Sequence, residues 1–153
     1  MRLRSPPITK DNDLNDWLSD LYQAAVNDIG QVIQSWFRTN IPRNLSSIVL
    51  NLLNSSTNSE IVMIVPGDLV GISVASDIPL AAGNISLTAT IDGGPQTEVT
   101  VSLTTSNPQY NSHLISHSHV SFNTNQRVGI RITTSSDLLP LNMNIICNLY
   151  VLF

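Results

Sequence analysis

The chain has 153 residues, enough for one domain with a hydrophobic core and too few for two domains of ordinary size. Charged residues make up 12% of it, against about 25% in an average soluble domain, so we expect neighbouring subunits to cover much of the surface. The net charge of −4 and the scattered arginines argue against nucleic acid as a partner, because phosphate binding needs clustered Lys and Arg. No uncharged apolar run approaches the roughly 18 residues of a membrane span, so no membrane partner is predicted.

The first 40 residues are predicted to form an arm and a helix. Residues 1–12 contain the Pro6-Pro7 pair, which prevents an early helix start and favours an extended arm. Over residues 13–40, apolar residues recur at steps of three and four, which predicts an amphipathic helix that serves as anchor or oligomerisation element. The predicted oligomer interface consists of Leu14, Leu18, Leu21, Ala25, Val32 and Trp36. Two arrangements stay open: the helix docks only on its own sheet, or it also packs on a symmetry mate.

Residues 44–153 follow the period of two that is typical of half-buried strands. Clear examples are residues 85–91, 99–103 and 127–132, and Asp92-Gly93 is a good hairpin turn because glycine accepts positive φ. With further runs near 46–53, 60–65, 69–75, 112–122 and 143–153, about eight strands are expected. We therefore predict a mainly β protein, an antiparallel jelly-roll-like β-sandwich preceded by the N-terminal amphipathic helix.

All three histidines lie within residues 112–122. If Val120 and Phe122 point into the core, period two places Leu114 inward and the three imidazoles on the opposite face. His117 and His119 form a His-x-His pair that could hold a metal ion with both rings. The alternative is that these histidines lie at the surface or in an interface and bind no metal.

No pattern in the sequence indicates catalysis, and neither an enzyme activity nor a cofactor is predicted. There is no Gly-x-Ser-x-Gly elbow, and the only glutamates are Glu60 and Glu98. Tyr110 lies in a turn-rich segment and is a candidate ligand-binding residue that could stack on a saccharide. Cys147 lies in an apolar run, where a buried small hydrophobic residue is the expected role.

The β region resembles a sandwich domain common in tailed-phage virion proteins. The segments that carry the resemblance are residues 65–74 (VPGDLVGISV), 80–93 (LAAGNISLTATIDG), 122–134 (FNTNQRVGIRITT) and 149–153 (LYVLF). The resemblance covers residues 60–153, but Asn125-Gln126 stands where such domains usually have Gly-Asp.

This resemblance implies a virion location and a homo-oligomer, a trimer in most such proteins. The implied function is that of a capsid decoration (cement) or head-fibre protein, whose partners are the major capsid protein or other virion proteins. A three-fold axis would allow Fe or Zn to bind at His117 and His119. The alternatives are a receptor-binding tail-fibre or baseplate domain and a carbohydrate-binding β-sandwich module, either of which could bind a surface glycan.

Overall fold

The computed structural model describes residues 31–53, 60–115 and 120–153, which form eleven strands and contain no helix. The strands are β1 (Gln31–Ile41), β2 (Ile48–Val49), β3 (Asn51–Leu52), β4 (Ile61–Val62), β5 (Gly67–Ser76), β6 (Ile85–Ile91), β7 (Gly94–Leu103), β8 (Tyr110–Leu114), β9 (Val120–Phe122), β10 (Arg127–Thr134) and β11 (Met143–Leu152). Every strand region predicted between residues 46 and 153 contains a strand, but the runs predicted at 46–53 and 112–122 each contain two separate strands, and eleven strands are present where about eight were expected. None of the described residues forms a helix long and apolar enough to cross a bilayer.

The strands form two sheets in which all the described pairings are antiparallel. Sheet A has the order β3-β1-β11-β5-β8, and β9 continues beyond β8 along the same strand, β5. Sheet B has the order β2-β10-β6-β7, and β4 pairs with β10 beyond β2. The topology is simpler if β2 with β4 and β8 with β9 each count as one strand and the short β3 is set aside. The eight strands, renumbered 1 to 8 in chain order, then have the order 1-8-3-6 in sheet A and 2-7-4-5 in sheet B.

One hydrophobic core holds the two sheets together. Inward residues alternate along the central strands, as in Ile85, Leu87 and Ala89 on β6, all of which are fully buried. Trp36 on β1 and Phe122 on β9 are the largest fully buried side chains. The sheets also meet at one side, where Asn111 Nδ2 on β8 donates a hydrogen bond to the carbonyl oxygen of Ser102 on β7 at 2.8 Å.

The hairpin between β6 and β7 turns at the predicted residues. Asp92 and Gly93 have φ values of 50° and 78°, and positive φ at both central positions is the type I′ geometry that matches strand twist. Asp92 also accepts hydrogen bonds from the backbone N–H of Arg127 at 2.8 Å and from Gln126 Nε2 at 3.0 Å. The turn is therefore tied to the start of β10.

The predicted helix over residues 13–40 is wrong from residue 31 onward, because Gln31–Ile41 is strand β1. β1 pairs with β11 from Gln31 opposite Leu152 to Arg38 opposite Ile145, with an irregularity before Ile41. The sandwich therefore includes residues from 31 onward, not from 44. The predicted arm over residues 1–12 and the rest of the predicted helix, residues 13–30, lie outside the described residues.

Candidate interaction face

Among the described residues, most of the outer surface of sheet A carries no charge, and the exception is Asp68, which lies on the outward row Leu152-Asp68-Ser121 at one end. Residues directly opposite each other in an antiparallel pair project to the same side, so the pairings define three rows across β1, β11, β5 and β8. The rows are Ile33-Tyr150-Gly71-Leu114, Ser35-Asn148-Ser73-Ser112 and Phe37-Ile146-Ala75-Tyr110. We call these twelve residues the sheet-A outer face, and none of them is ionisable below the pKa range of tyrosine.

Two apolar rows of this face flank a polar row. Leu114 and Tyr110 have exposed fractions of 74% and 76%, and those of Ile33 and Ile146 are 55% and 37%. In the polar row, Ser35 Oγ donates to Asn148 Oδ1 at 2.6 Å. Ser35 and Asn148 thus satisfy each other, while large apolar side chains on both sides of this row meet solvent. Such a patch on a folded domain marks an interaction site.

The outer surface of sheet B has the opposite character. Hydroxyl groups form cross-strand pairs there, with Thr88 Oγ1 and Thr100 Oγ1 2.9 Å apart and Ser102 Oγ donating to Ser86 Oγ at 3.2 Å. Hydroxyls keep spare hydrogen-bonding capacity for water. This part of sheet B is suited to solvent, whereas the sheet-A outer face exposes large apolar side chains.

Ion pairs add charge at one end of sheet B. Arg127 Nη1 lies 3.3 Å from Glu60 Oε2, and Arg127 Nε lies 3.8 Å from Asp92 Oδ1. Hydrogen bonds from the Arg127 backbone and the Gln126 side chain, helped by the Arg127 charge, lower the pKa of Asp92. Arg127 and Asp92 are exposed and Glu60 is partly buried. Ion pairs at a surface contribute little to stability, but these charges keep this end of sheet B polar.

The predicted oligomer interface falls in three different places. Trp36 is fully buried in the domain's own core, so its assignment to a subunit interface is wrong. Val32 lies in β1 opposite Val151 and belongs to a strand, not to the helix on which its prediction depended. Leu14, Leu18, Leu21 and Ala25 lie outside the described residues, and their interface role stays a prediction.

Sequence reasoning missed β1 and with it a quarter of the sheet-A outer face, the residues Ile33, Ser35 and Phe37. The segment QVIQSWFRTNI is rich in β-branched and aromatic residues, which favour strands. Its apolar residues occur on both faces, because Trp36 fills the core while Ile33 and Phe37 line the outer face. That pattern hides the period of two and leaves steps of three and four that imitate a helix.

The alternation predicted from Val120 and Phe122 is wrong at Leu114. Leu114 was expected to point inward, yet it is exposed and opposite Gly71 on the sheet-A outer face. β8 ends at Leu114, Ile115 lies outside the strands, and β9 is Val120–Phe122; residues 116–119 lie outside the described residues. Val120 and Phe122 are buried as predicted.

The metal prediction at His117 and His119 stays untested. Both residues lie outside the described residues. Among the residues that are described, no three His, Cys, Asp or Glu side chains form a group that could hold a metal ion.

Tyr110 and Cys147 are both described. The Tyr110 ring borders an open groove lined by Ser73, Val74, Ala75, Asn107, Asn111, Ser112 and Asn148. Cys147 is fully buried, as predicted for a small core residue, and burial raises the pKa of its thiol. The thiol is thus kept protonated and out of reach of solvent.

No family model and no curated protein matches this sequence. Solved structures do match it, among them the following three. A chain of the acidic stable capsid structure of Helicobacter pylori bacteriophage KHP30 is 11% identical over 80% of this chain and 87% of that chain, with a TM-score of 0.48. A chain of the cyanophage Pam1 capsid asymmetric unit is 12% identical over 100% and 94%, with a TM-score of 0.41. CBM35 from Paenibacillus barcinonensis is 17% identical over 83% and 95%, with a TM-score of 0.32. With every TM-score below 0.5, none of these similarities decides the function.

Proposed function

We propose that this protein is a structural component of a phage particle. In this role it is a capsid decoration (cement) or head-fibre protein that forms a homo-oligomer, a trimer, and binds neighbouring virion subunits. The strand orders 1-8-3-6 and 2-7-4-5 derived from the pairings are those of a jelly roll, an architecture used by viral capsid domains and also by lectins. The sequence resemblance to tailed-phage virion domains favours the capsid class.

The observation that carries this proposal is the contrast between the two outer surfaces. A solitary domain gains nothing from outward Ile33, Ile146 and Leu114, whereas a subunit gains about 25 cal/mol for each Å² of apolar area that a neighbour removes from water. In a closed oligomer the same contact repeats at every interface, and several weak contacts to the particle add up to firm attachment. The mechanism is therefore geometric and needs no catalytic group.

The first test compares the solution mass of the full-length wild type with that of two single variants. One variant carries an added charge on the outer surface of sheet A, and the other carries it on the outer surface of sheet B. Ile146→Lys introduces a lysine on β11, a central strand of sheet A, and Thr133→Lys introduces one at an exposed position on β10, a central strand of sheet B. We expect wild type and Thr133→Lys to have three times the 16.7 kDa chain mass by light scattering. Ile146→Lys should shift toward monomer, because a desolvated unpaired charge opposes association. A monomeric wild type over the whole micromolar range would end the oligomer proposal.

A truncation that tests the role of the N-terminal segment must leave strand β1 intact. Deleting residues 1–30 leaves every described strand intact, whereas deleting residues 1–40 removes Trp36 from the core and the β1 partner from β11. Loss of the oligomer after the longer deletion would therefore report unfolding and not the loss of a subunit contact. The informative comparison is residues 31–153 against the full chain.

A second candidate function, carbohydrate binding, is favoured by the groove beside Tyr110. An exposed aromatic ring next to amides and hydroxyls, with no charge in the lining, suits a neutral saccharide. Tyr110→Ala should abolish binding to a glycan array if this reading is correct, and Tyr150→Phe, which keeps the ring on the same face, should not. An oligomer that binds capsids but no glycan on the array would support the structural role and contradict carbohydrate binding.

A further inference from the structure

The second arginine of β10 lies in a cleft on the outer surface of sheet B. The residues that line this cleft are Val49, Glu60, Asp92, Gly93, Arg127 and Arg131. Arg127 and Arg131 both project outward, because the residues at the even positions between them, 128 and 130, are buried in the core. Gly129 lies between the two arginines, and a Cβ added there would be 2.9 Å from Glu60 Cγ. The Glu60 side chain thus reaches the sheet between the two guanidinium groups.

The two arginines differ in their partners. Arg127 holds both carboxylates of the cleft, with Nη1 3.3 Å from Glu60 Oε2 and Nε 3.8 Å from Asp92 Oδ1. No carboxylate of the described residues lies within ion-pair distance of Arg131. The contact that Arg131 does make is a hydrogen bond from Nη1 to Ser47 Oγ at 3.2 Å. The charge of Arg127 is therefore balanced within the domain, and that of Arg131 is not.

The Arg131 guanidinium has also lost part of its contact with water. Its Nε is buried and has no hydrogen-bond partner among the described residues. Nη2, which shares one edge of the guanidinium with Nε, lies 3.7 Å from the position that a Cβ on Gly93 would take. Because Gly93 has no side chain, this edge borders open space in the cleft. A cation with an unmet donor and incomplete hydration gains more from an anion than a fully hydrated one does.

We propose that Arg131 binds a carboxylate side chain of a partner protein in this cleft. The guanidinium edge that carries Nε and Nη2 matches the two oxygens of a carboxylate. Val49 lies directly opposite Arg131 in the pairing of β2 with β10, and it offers an apolar wall to the stem of an incoming Glu or Asp. This contact surface is on the other sheet from the sheet-A outer face. Only the partner's identity as a virion subunit rests on the proposed function.

Nuclear magnetic resonance of the arginine side chains in the full chain tests this proposal. Lys10 is the only lysine among the seven Lys and Arg residues, so six arginine Nε–H signals are expected. The probe is glutamate blocked at both backbone ends, and blocked glutamine is its uncharged match. The titration is run at constant ionic strength and about pH 6, where the glutamate carboxyl is ionised and arginine is protonated. Blocked glutamate should shift the Arg131 Nε–H signal progressively, and blocked glutamine should leave it in place.

Arg43 is the matched control within the same spectrum. Its Nε already donates to the carbonyl oxygen of Leu138 at 2.8 Å, so its signal should not move. The absence of a shift at Arg131 would overturn the proposal, as would an equal shift at Arg43. An equal or larger response to inorganic phosphate would overturn the assignment to a carboxylate, because it would indicate a site for anions in general.

Substitutions of Val49 supply the ligand from within the chain. Val49→Asp places a carboxylate on the neighbouring strand opposite Arg131, so the Nε–H signal should shift without the probe and no longer respond to it. Val49→Asn adds a side chain of nearly the same shape without the charge and should keep the response. An unchanged response in Val49→Asp would contradict binding in this cleft.

Arg131→Lys separates the shape of the guanidinium from its charge. Lysine keeps the positive charge but lacks the planar pair of donors. The response is then followed at the backbone amide of Gly93, which lies beside the guanidinium, and it should be lost. A retained response in Arg131→Lys would show that charge alone is sufficient and would overturn the role of the guanidinium edge.

The Ile146→Lys variant distinguishes failure of this proposal from failure of the oligomer proposal. Its substitution lies on sheet A, whereas Arg131 and Val49 lie on sheet B, so the Arg131 response should persist in it whatever its mass. A response that disappears together with the oligomer would overturn a site formed by one chain. A response in a wild type that light scattering shows to be monomeric would uphold the carboxylate site while the oligomer proposal fails.

Discussion

Replacing Trp36 with alanine tests whether residues 31–41 belong to the sandwich core. The side chain is fully buried, and its cross-strand neighbours are Cys147 on β11 and Leu52 on β3. Removing a buried tryptophan to alanine costs about 3–5 kcal/mol, because the lost transfer free energy adds to the cost of the cavity. With a urea m-value of about 2 kcal/mol per M, the unfolding midpoint should fall by about 2 M.

The measurement is urea unfolding followed by circular dichroism at one fixed protein concentration, since association would otherwise shift the midpoint. Phe37→Ala is the control, because the next residue projects to the outer face and is only partly buried. It should lower the midpoint by less than half as much. A Trp36→Ala midpoint within about 0.5 M of wild type, at an unchanged m-value, would refute the inward position of Trp36 and with it the register of β1.

Two further predictions concern the loops and the pH dependence of stability. Gly83 has φ of +78°, and an added Cβ would lie 2.8 Å from the Leu138 backbone, so Gly83→Ala should destabilise by about 1–3 kcal/mol; a thermal midpoint equal to that of wild type would contradict this. Asp77 accepts hydrogen bonds from the Asn144 backbone N–H at 2.8 Å and from Asn144 Nδ2 at 2.6 Å, and these bonds lower its pKa from 3.8. Its contribution is complete above the unfolded pKa and is lost as pH falls through the folded pKa, so thermal midpoints of Asp77→Asn should decline less than those of wild type from about pH 5 downward. Parallel curves would show that this carboxylate is irrelevant to acid stability.

The strands of sheet B could be predicted because their two faces differ. Along β10, Val128, Ile130 and Ile132 face the core while Arg127 and Arg131 face solvent, and this alternation is visible in the sequence. The hairpin at Asp92-Gly93 could also be predicted, because few residue pairs tolerate two positive φ values in succession.

Sheet A was harder to predict because its outer surface is apolar. On β1 and β8 the outward residues Ile33, Phe37 and Leu114 are as apolar as core residues, so polarity does not tell inside from outside. Tertiary pairing with β11 decides that residues 31–41 form a strand, and no local pattern reports that pairing. The apolar outward residues thus have two consequences. They make the sheet-A outer face a candidate interaction site, and they make its strands hard to recognise from the sequence.

Comparing the outer surfaces of the two sheets shows which residues the fold requires and which residues only an interaction would require. Both sheets bury their inward residues in one core, and that burial is complete without any contribution from outward Ile33, Ile146 or Leu114. Serine and threonine at equivalent outward positions of sheet B show that the sandwich accepts polar residues there. Apolar residues on the outside of sheet A consequently add nothing to the core and expose area that water disfavours. Their contribution to stability begins only when another layer covers them, which is the role that the proposed function gives to a neighbouring subunit.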